Sequence, residues 1–447
     1  MYIKREILEY LKATLNKEPC LILTGSRQVG KTTLIKKIEE DLKKEDQKTY
    51  YFNLELPSHL SLFSNGPEGF LEYLTAQGVR LTTEPIQNDV VCHPECQRRI
   101  SSNYLYLFID EFQYIPQAGK FLKAIIDNFP QIKTVASGSS SVEIQKNLQE
   151  SLVGRKRVIN IFPLTFVEFL RFQNLKEAAY FEEVNVIKPL SVPLRSIFVR
   201  LFEEFTVWGG MPKIILEPDF RERRALLEEI CSSYLQKDIK GLVGSENLSV
   251  FNKLMVLLAE ESSSLSNIHS LSNTLRLSRK ELEKALFILE NTFVNWLLNP
   301  FYTNKRKELS REKKTVFYDN GIRNCLLNNF SPFNQRLDKG RLQESAVYNE
   351  LKKSLKPGME ILYWRTQHQT EIDFILRSDE KVIPIEVKSG SLQKVPASVS
   401  SFVKQYQSPF AVVINKDNWT EVSTNGFKVY FLPAFVTSLI PSLLNNS

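Results

Sequence analysis

The stretch CLILTGSRQVGKTTLIKKIEEDLKK, residues 20–44, decides how the chain begins. The apolar run LILT ahead of a glycine reads as a strand buried on both faces, and the apolar spacing after Lys31 reads as a helix. Between them GSRQVGKT fits G-x-x-x-x-G-K-[ST], the spacing a phosphate-binding loop requires. Gly25 and Gly30 let the backbone wrap so that successive N–H groups converge on an anion, and the helix N-terminus adds partial positive charge. On this reading Gly25, Ser26, Arg27, Gln28, Val29, Gly30, Lys31, Thr32 and Thr33 form a cradle for ATP. Lys31 reaches the β- and γ-phosphates, Thr32 offers its hydroxyl to Mg²⁺, and Thr33 packs or meets the α-phosphate.

Working outward, ILEYLKATL before the loop reads as a helix and TYYFNLE after it as a strand, so the segment is a βαβ unit and implies a parallel sheet. About 80 residues further on, LYLFIDEFQ (105–113) is an apolar strand ending in two acids, the second half of a nucleotide site. Asp110 is expected in the Mg²⁺ shell, and Glu111 is expected to orient or deprotonate the attacking water. The helix FLKAIIDNF and the strand TVAS continue the alternation. TVAS runs into GSSS, where Ser139 is the candidate sensor-like group, and Arg155 in LVGRKR is the candidate arginine finger for charge on the transferring phosphoryl group. A turn serine and a solvated arginine would produce the same local sequence.

With 447 residues the chain predicts about three domains of roughly 150 residues each. Its 43% hydrophobic and 24% charged residues are those of a packed globular protein, and a net charge of +7 is too small at this length to imply a polyanionic partner. The five cysteines are scattered, and the first residues lack the apolar run of a signal peptide, which predicts reduced thiols in the cytoplasm. The apolar tail from Val429 to Leu444 is broken by Pro433 and Pro441, so no membrane span is expected. Cys92, His93 and Cys96 lack the fourth ligand a zinc site needs.

From Leu164 to Leu289 the apolar spacing is helical. Between Leu248 and Asp319 the order helix, helix, helix, hairpin looks like a winged helix. The hairpin tip NKRKELSREKK carries Lys305, Arg306, Lys307, Arg311, Lys313 and Lys314, which could grip DNA phosphates or form a solvated tip. Glu281, Glu283 and Glu290 on the third helix oppose direct base reading. In the C-terminal region Glu344 on a helix, Asp373 on a strand and Glu386-Val387-Lys388 on the next strand follow the order of the PD-(D/E)XK nuclease core. Strand alternation places Glu386 and Lys388 on one face, and Glu371 and Asp373 likewise. Such a set suits an active nuclease, an anion- or nucleic-acid-binding relic, or charges on a half-exposed sheet.

Taken together, GSRQVGKTTL, FIDEFQ, SGSSS, LVGRKRVINIFPLTFVEFL, WGGMP, VFYDNGIRN, RLQESAVYNEL, YWRTQHQTEIDFIL and IEVKSG resemble, in order, the archaeal-type AAA+ ATPases that carry a C-terminal domain of unknown function related to restriction-endonuclease folds. The stretch Gly78–Asn103 looks like an insertion relative to them. The resemblance implies an α/β chain with a P-loop AAA+-like parallel sheet over residues 1–165, a helical lid and winged-helix middle over 166–314, and a C-terminal α/β endonuclease-like domain over 315–447. It also implies an ATPase, without naming a client or an oligomeric state. The expected function is slow Mg-dependent ATP hydrolysis in a nucleotide-driven switch. An ATP-gated, metal-dependent DNA nuclease and a non-catalytic nucleotide-sensing scaffold are the alternatives.

Overall fold

The structure, a computed structural model, describes residues 2–81, 104–138, 152, 154–240, 247–304, 308, 312–424 and 426–444. They divide into two compact units, Met1–Phe162 and Pro163–Ser447. Cys92, His93, Cys96 and nearly all of the Gly78–Asn103 stretch lie outside the described residues.

The first unit runs α1 (Ile7–Lys17), β1 (Cys20–Thr24), α2 (Lys31–Lys44), β2 (Lys48–Asn53), α3 (Pro57–Ser64), α4 (Gly66–Ala76), β3 (Leu105–Asp110), α5 (Ala118–Asn128), β4 (Ile132–Ser137) and β5 (Arg157–Asn160). Among the described residues its strands form one five-stranded sheet in the order β2-β3-β4-β1-β5, parallel throughout. Strands β1, β3 and β4 are buried along their whole length, as their continuous apolar runs require of central parallel strands. Edge strand β5, RVIN, buries only Ile159, and so carries almost no hydrophobic signal in the sequence. Phe52, Phe63 and Phe70 pack one face of the sheet, with the Phe63 and Phe70 rings stacked at 4.5 Å.

The second unit opens with α6 (Phe166–Phe172), α7 (Glu177–Glu182), α8 (Val192–Trp208), α9 (Pro212–Leu216), α10 (Phe220–Ser233), α11 (Leu248–Glu260), α12 (Ile268–Leu275) and α13 (Arg279–Asn291). The antiparallel pair β6 (Asn295–Leu298) and β7 (Lys314–Phe317) follows, then α14 (Asn320–Leu326) and α15 (Lys339–Ser354). Next come β8 (Met359–Arg365), β9 (Glu371–Ser378), β10 (Lys381–Val387), α16 (Ala397–Tyr406), β11 (Phe410–Asn415), β12 (Thr420–Thr424), β13 (Phe427–Pro433) and α17 (Ile440–Leu443). The mixed sheet of this unit has the order β12-β13-β11-β10-β9-β8. Strands β8, β9 and β10 are an antiparallel meander, and the crossover through α16 makes β11 parallel to β10. The chain is thus α/β with a parallel P-loop-type sheet, a helical middle and a C-terminal mixed sheet.

Two segments of the family-like signature prove to be local capping chemistry. In PLTFVEFL the Thr165 hydroxyl accepts from the Glu168 N–H and the Glu168 carboxylate accepts from the Thr165 N–H, a capping box that starts α6. In WGGMP, Gly209 has φ +76°, and a Cβ there would stand 2.2 Å from the Asp319 carboxylate. That carboxylate accepts from the Gly210 N–H at 2.7 Å and from the Ile322 N–H at 3.1 Å, fastening the turn and capping α14 together.

Candidate functional site

The loop between β1 and α2 has the shape the glycines were expected to give. Gly25, Gln28 and Gly30 have φ of +153°, +61° and +96°. A Cβ on Gly25 would lie 2.3 Å from the Ile161 carbonyl oxygen, so the loop passes the segment after β5 too closely for any side chain. Lys31 is buried, and its Nζ donates to the Gly25 and Ser26 carbonyls, both at 2.9 Å. The ammonium therefore sits inside the loop, where it would meet phosphate oxygens. Thr33 is exposed and does not pack into the core.

Register brings the other half of the site to the same sheet edge. Asn53, Asp110 and Ser137 stand side by side at the C-terminal ends of β2, β3 and β4. The Asp110 carboxylate is buried and accepts from three hydroxyls. Its Oδ2 accepts from Thr32 at 2.7 Å and from the Tyr51 hydroxyl at 3.1 Å, and its Oδ1 accepts from the Ser137 hydroxyl. Burial and the neighbouring Asp110 charge push the Tyr51 phenol well above its ordinary range, so it stays a donor. The Thr32 hydroxyl and the Asp110 carboxylate are hard oxygen donors side by side, a set that suits Mg²⁺. Glu111 follows in the left-handed region, φ +58°, with its carboxylate bonded to the Gln113 amide. A non-glycine residue held in that region at a strand end is a strained arrangement of the kind that clusters at functional sites.

Ser139 lies outside the described residues, and Ser137 is the serine found on Asp110. Arg155 does not join the loop. Parallel pairing aligns Leu21 with Arg157 and Thr24 with Asn160, so Arg155 lies at the N-terminal edge of the sheet and the loop at the C-terminal edge. A five-residue strand, roughly 17 Å at about 3.3 Å per residue, separates the two edges. There the Arg155 guanidinium pairs with Asp127. Within its own chain, then, Arg155 does not reach the phosphate loop. Sequence reasoning also missed Arg5, a buried guanidinium that donates to the carbonyls of Val29 and Phe162, each at 2.9 Å, and so ties the loop to the chain after β5.

In the second unit α15, β9 and β10 bring Glu344, Asp373, Glu386 and Lys388 within electrostatic reach of one another. Asp373 Oδ2 accepts from the Val387 N–H at 2.7 Å, and Lys388 Nζ bonds Glu386 Oε1 at 2.6 Å. Glu386 Oε2 is buried and accepts no hydrogen bond among the described residues. Burial first, and the Asp373 charge second, push Glu344 up to about 8 and Glu386 up to about 7. Lys314 is a correction to the reading of the hairpin tip: it is buried and paired with Glu371, and its charge bears on Glu344 and Asp373 rather than on solvent. Lys305, Arg306, Lys307 and Arg311 lie outside the described residues. Among the described residues no group of three His, Cys, Asp or Glu is placed to hold a metal ion.

The acids of α13 are explained locally. Glu281 caps the helix through Ser278, Glu283 pairs with Arg279 at 2.8 Å, and half-buried Glu290 accepts from the Leu297 N–H at 3.3 Å.

Residues 17–170 match the AAA domain family. The loop, the strand-end acid and the five-stranded sheet all fall in that segment. Residues 199–332 and 339–435 match two domains of unknown function, DUF8612 and DUF4143. An uncharacterized protein of Methanocaldococcus jannaschii is 28% identical over 62% of this chain and 59% of its own length. The chain thus spans less than two thirds of that relative. An uncharacterized protein of Haemophilus influenzae is 24% identical over 82% of this chain and 81% of its own. Among solved structures, the Walker-type ATPase of Pyrococcus abyssi is similar with a TM-score of 0.46 and 16% identity, covering 73% of this chain and 96% of that one. Among the described residues no helix is long and apolar enough to cross a membrane.

Proposed function

We propose that this chain binds Mg-ATP through residues 25–33 and hydrolyses it slowly, acting as a nucleotide-driven switch. The observation that carries the reading is the convergence of Lys31, Thr32, Asp110 and Ser137 at one sheet edge. Bound Mg²⁺ supplies charge neutralisation across the phosphates. Lys31 exchanges its two carbonyl partners for phosphate oxygens, and Thr32 and Asp110 hold the metal's inner or outer oxygen shell. Glu111 orients the attacking water and takes its proton, and Ser137 and the candidate Ser139, two residues further along the chain, supply polar groups for the γ-phosphate. Arg155 serves as a finger for a second copy of the chain.

The test is a pair of variants in the full chain. Lys31→Ala is expected to abolish ATP binding, whereas Glu111→Gln is expected to retain binding and lose turnover. Parental turnover in Glu111→Gln would remove that residue as the base, and undiminished ATP affinity in Lys31→Ala would overturn the site.

A second reading, an ATP-gated, metal-dependent DNA nuclease in the C-terminal part of the chain, is favoured by the unpartnered Glu386 Oε2 beside Lys388. DNA would then be the partner of Glu344, Asp373, Glu386 and Lys388, with the basic hairpin holding its backbone. Mn²⁺-dependent nicking of supercoiled DNA that disappears in Asp373→Ala supports this reading, and no nicking with ATP and Mn²⁺ leaves the switch alone.

A further inference from the structure

At the end of β3 the chain turns sharply, and the turn decides what the Glu111 carboxylate meets. Glu111 takes a left-handed backbone, φ +58°, and Phe112–Tyr114 follow as a single turn of 3-10 helix. The Tyr114 N–H closes this turn on the Glu111 carbonyl and the Ile115 N–H closes it on the Phe112 carbonyl, each at 3.1 Å. Phe112 and Ile115 are buried in the core of the first unit. Gln113, lying between them, therefore sits on a backbone that is anchored on both sides. From there its amide Nε2 donates to Glu111 Oε2. Among the described residues this is the one hydrogen bond that the Glu111 carboxylate makes. The neighbouring Asp110 is held instead by the hydroxyls of Thr32, Tyr51 and Ser137, so the two acids at the strand end have separate partners.

The end of β4 makes room for that amide. A Cβ on Gly138, the residue after β4, would stand 2.5 Å from Gln113 Oε1 and 3.0 Å from the Phe112 ring. The carboxamide thus occupies the space that a side chain at position 138 would take. Gly138 is itself fixed, because its N–H donates to the Leu23 carbonyl of β1 at 3.2 Å. Gln113 is therefore wedged between the ends of β3 and β4, the same two strand ends that are joined by the hydrogen bond from Ser137 to Asp110. A carboxamide suits this place. It donates to one carboxylate oxygen but carries no charge and has no proton to exchange, so it fixes a carboxylate without competing for the proton of a water. Half-buried Glu111 would otherwise sample several rotamers, and holding a reacting group in one orientation lowers a barrier.

We propose, resting on the reading of Glu111 as the base, that Gln113 is a positioning residue for ATP hydrolysis: its amide holds Glu111 Oε2 and leaves Oε1 to take the proton of the attacking water. The experiment measures kcat with radiolabelled ATP, to follow residual rates, and ATP affinity separately, in the full chain. The variants are Gln113→Leu, Glu111→Gln and the two combined. Gln113→Leu, close in size but lacking the donor, is expected to lower kcat by about tenfold to a hundredfold, the worth of one hydrogen bond to a charged group, while ATP affinity stays within a few fold. Because Gln113 acts through Glu111, the double variant is expected to turn over no more slowly than Glu111→Gln alone. A merely structural role would subtract its full loss a second time. Gln113→Glu keeps the shape but sets a second carboxylate against the first, and is expected to lose turnover likewise; it carries the test should Gln113→Leu not fold. Parental or raised turnover in the Gln113 variants overturns the proposal, as does a loss that repeats in full in the Glu111→Gln background. An inactive Glu111→Gln beside a fully active Gln113→Leu fails the role of Gln113 alone, whereas parental turnover in Glu111→Gln fails the assignment of the base and the proposal with it.

Discussion

Asp110 is the residue on which the N-terminal site turns, because three hydroxyls from three different elements converge on its carboxylate. Ser137→Ala should lower ATP turnover while nucleotide affinity stays within a few fold, a split read from kcat and a separate binding titration. Tyr51→Phe should weaken binding only when Mg²⁺ is present, by roughly the few-fold to tenfold that one hydrogen bond is worth. Equal weakening in the presence of chelator would place Tyr51 in the packing alone. The cysteines give an independent residue-scale check on burial. Cys20, inside β1, is pushed up to about 12 by desolvation, whereas the hydrogen bond from Cys231 holds Cys325 below its ordinary value. Alkylation of the native chain, mapped by mass spectrometry, should therefore modify Cys325 before Cys231 and leave Cys20 unmodified.

At the scale of elements, the second unit depends on two arrangements that only packing creates. The first is the clasp of Asp319 on the Gly209-Gly210 turn, where buried hydrogen bonds and a forced positive φ coincide. Gly209→Ala must displace Asp319 as well as strain the backbone, and should destabilise the chain by about 2 kcal/mol or more, read as a lowered urea midpoint. The second is the meeting of α15 with β9 and β10, which gathers carboxylates in a poorly solvated place. In the folded chain Glu344 is held up to about 8, against an ordinary value of 4.5. The folded chain therefore binds more protons than the unfolded one between those values. The resulting stability is fully present below pH 4.5 and is lost as pH rises through about 8. Glu344→Gln should flatten that loss, so that its melting temperature exceeds the parental one by a few degrees at pH 8 and converges with it toward pH 5. A parallel pair of melting curves across this range would reject the cluster's protonated state.

For the whole molecule, the open matter is what completes the N-terminal site. Arg155 is paired with Asp127 at the sheet edge away from the loop, so any action on a γ-phosphate requires a second chain. Turnover per chain should then rise with protein concentration. Mixing inactive Arg155→Ala with inactive Glu111→Gln should restore part of the parental rate, because one interface in the mixture pairs an intact finger with an intact base. An arginine finger is worth roughly 10³ to 10⁵ in rate, so the recovery should be plain. Constant specific activity on dilution, with no recovery on mixing, would return Arg155 to the role of a surface ion pair.

The residues read from sequence alone were those whose signal is local. The GSRQVGKT loop, the acids ending LYLFID and the alternation of strands and helices depend on neighbours a few residues away, and the chain shows them directly. The order of Glu344, Asp373, Glu386 and Lys388 was legible for the same reason, since strand alternation fixes which side chains share a face. Other features depend on residues far apart in the chain. Strand β5 buries a single side chain and pairs through its backbone, which carries no sequence pattern. Ser137, Tyr51 and Arg5 become parts of the nucleotide site through parallel register and through carbonyls up to 157 positions away. Lys314, one cation among many in a basic stretch, acquires its place among carboxylates only when β7 packs into the second unit. Backbone pairing and burial assign these roles, and neither is written in the residues on either side.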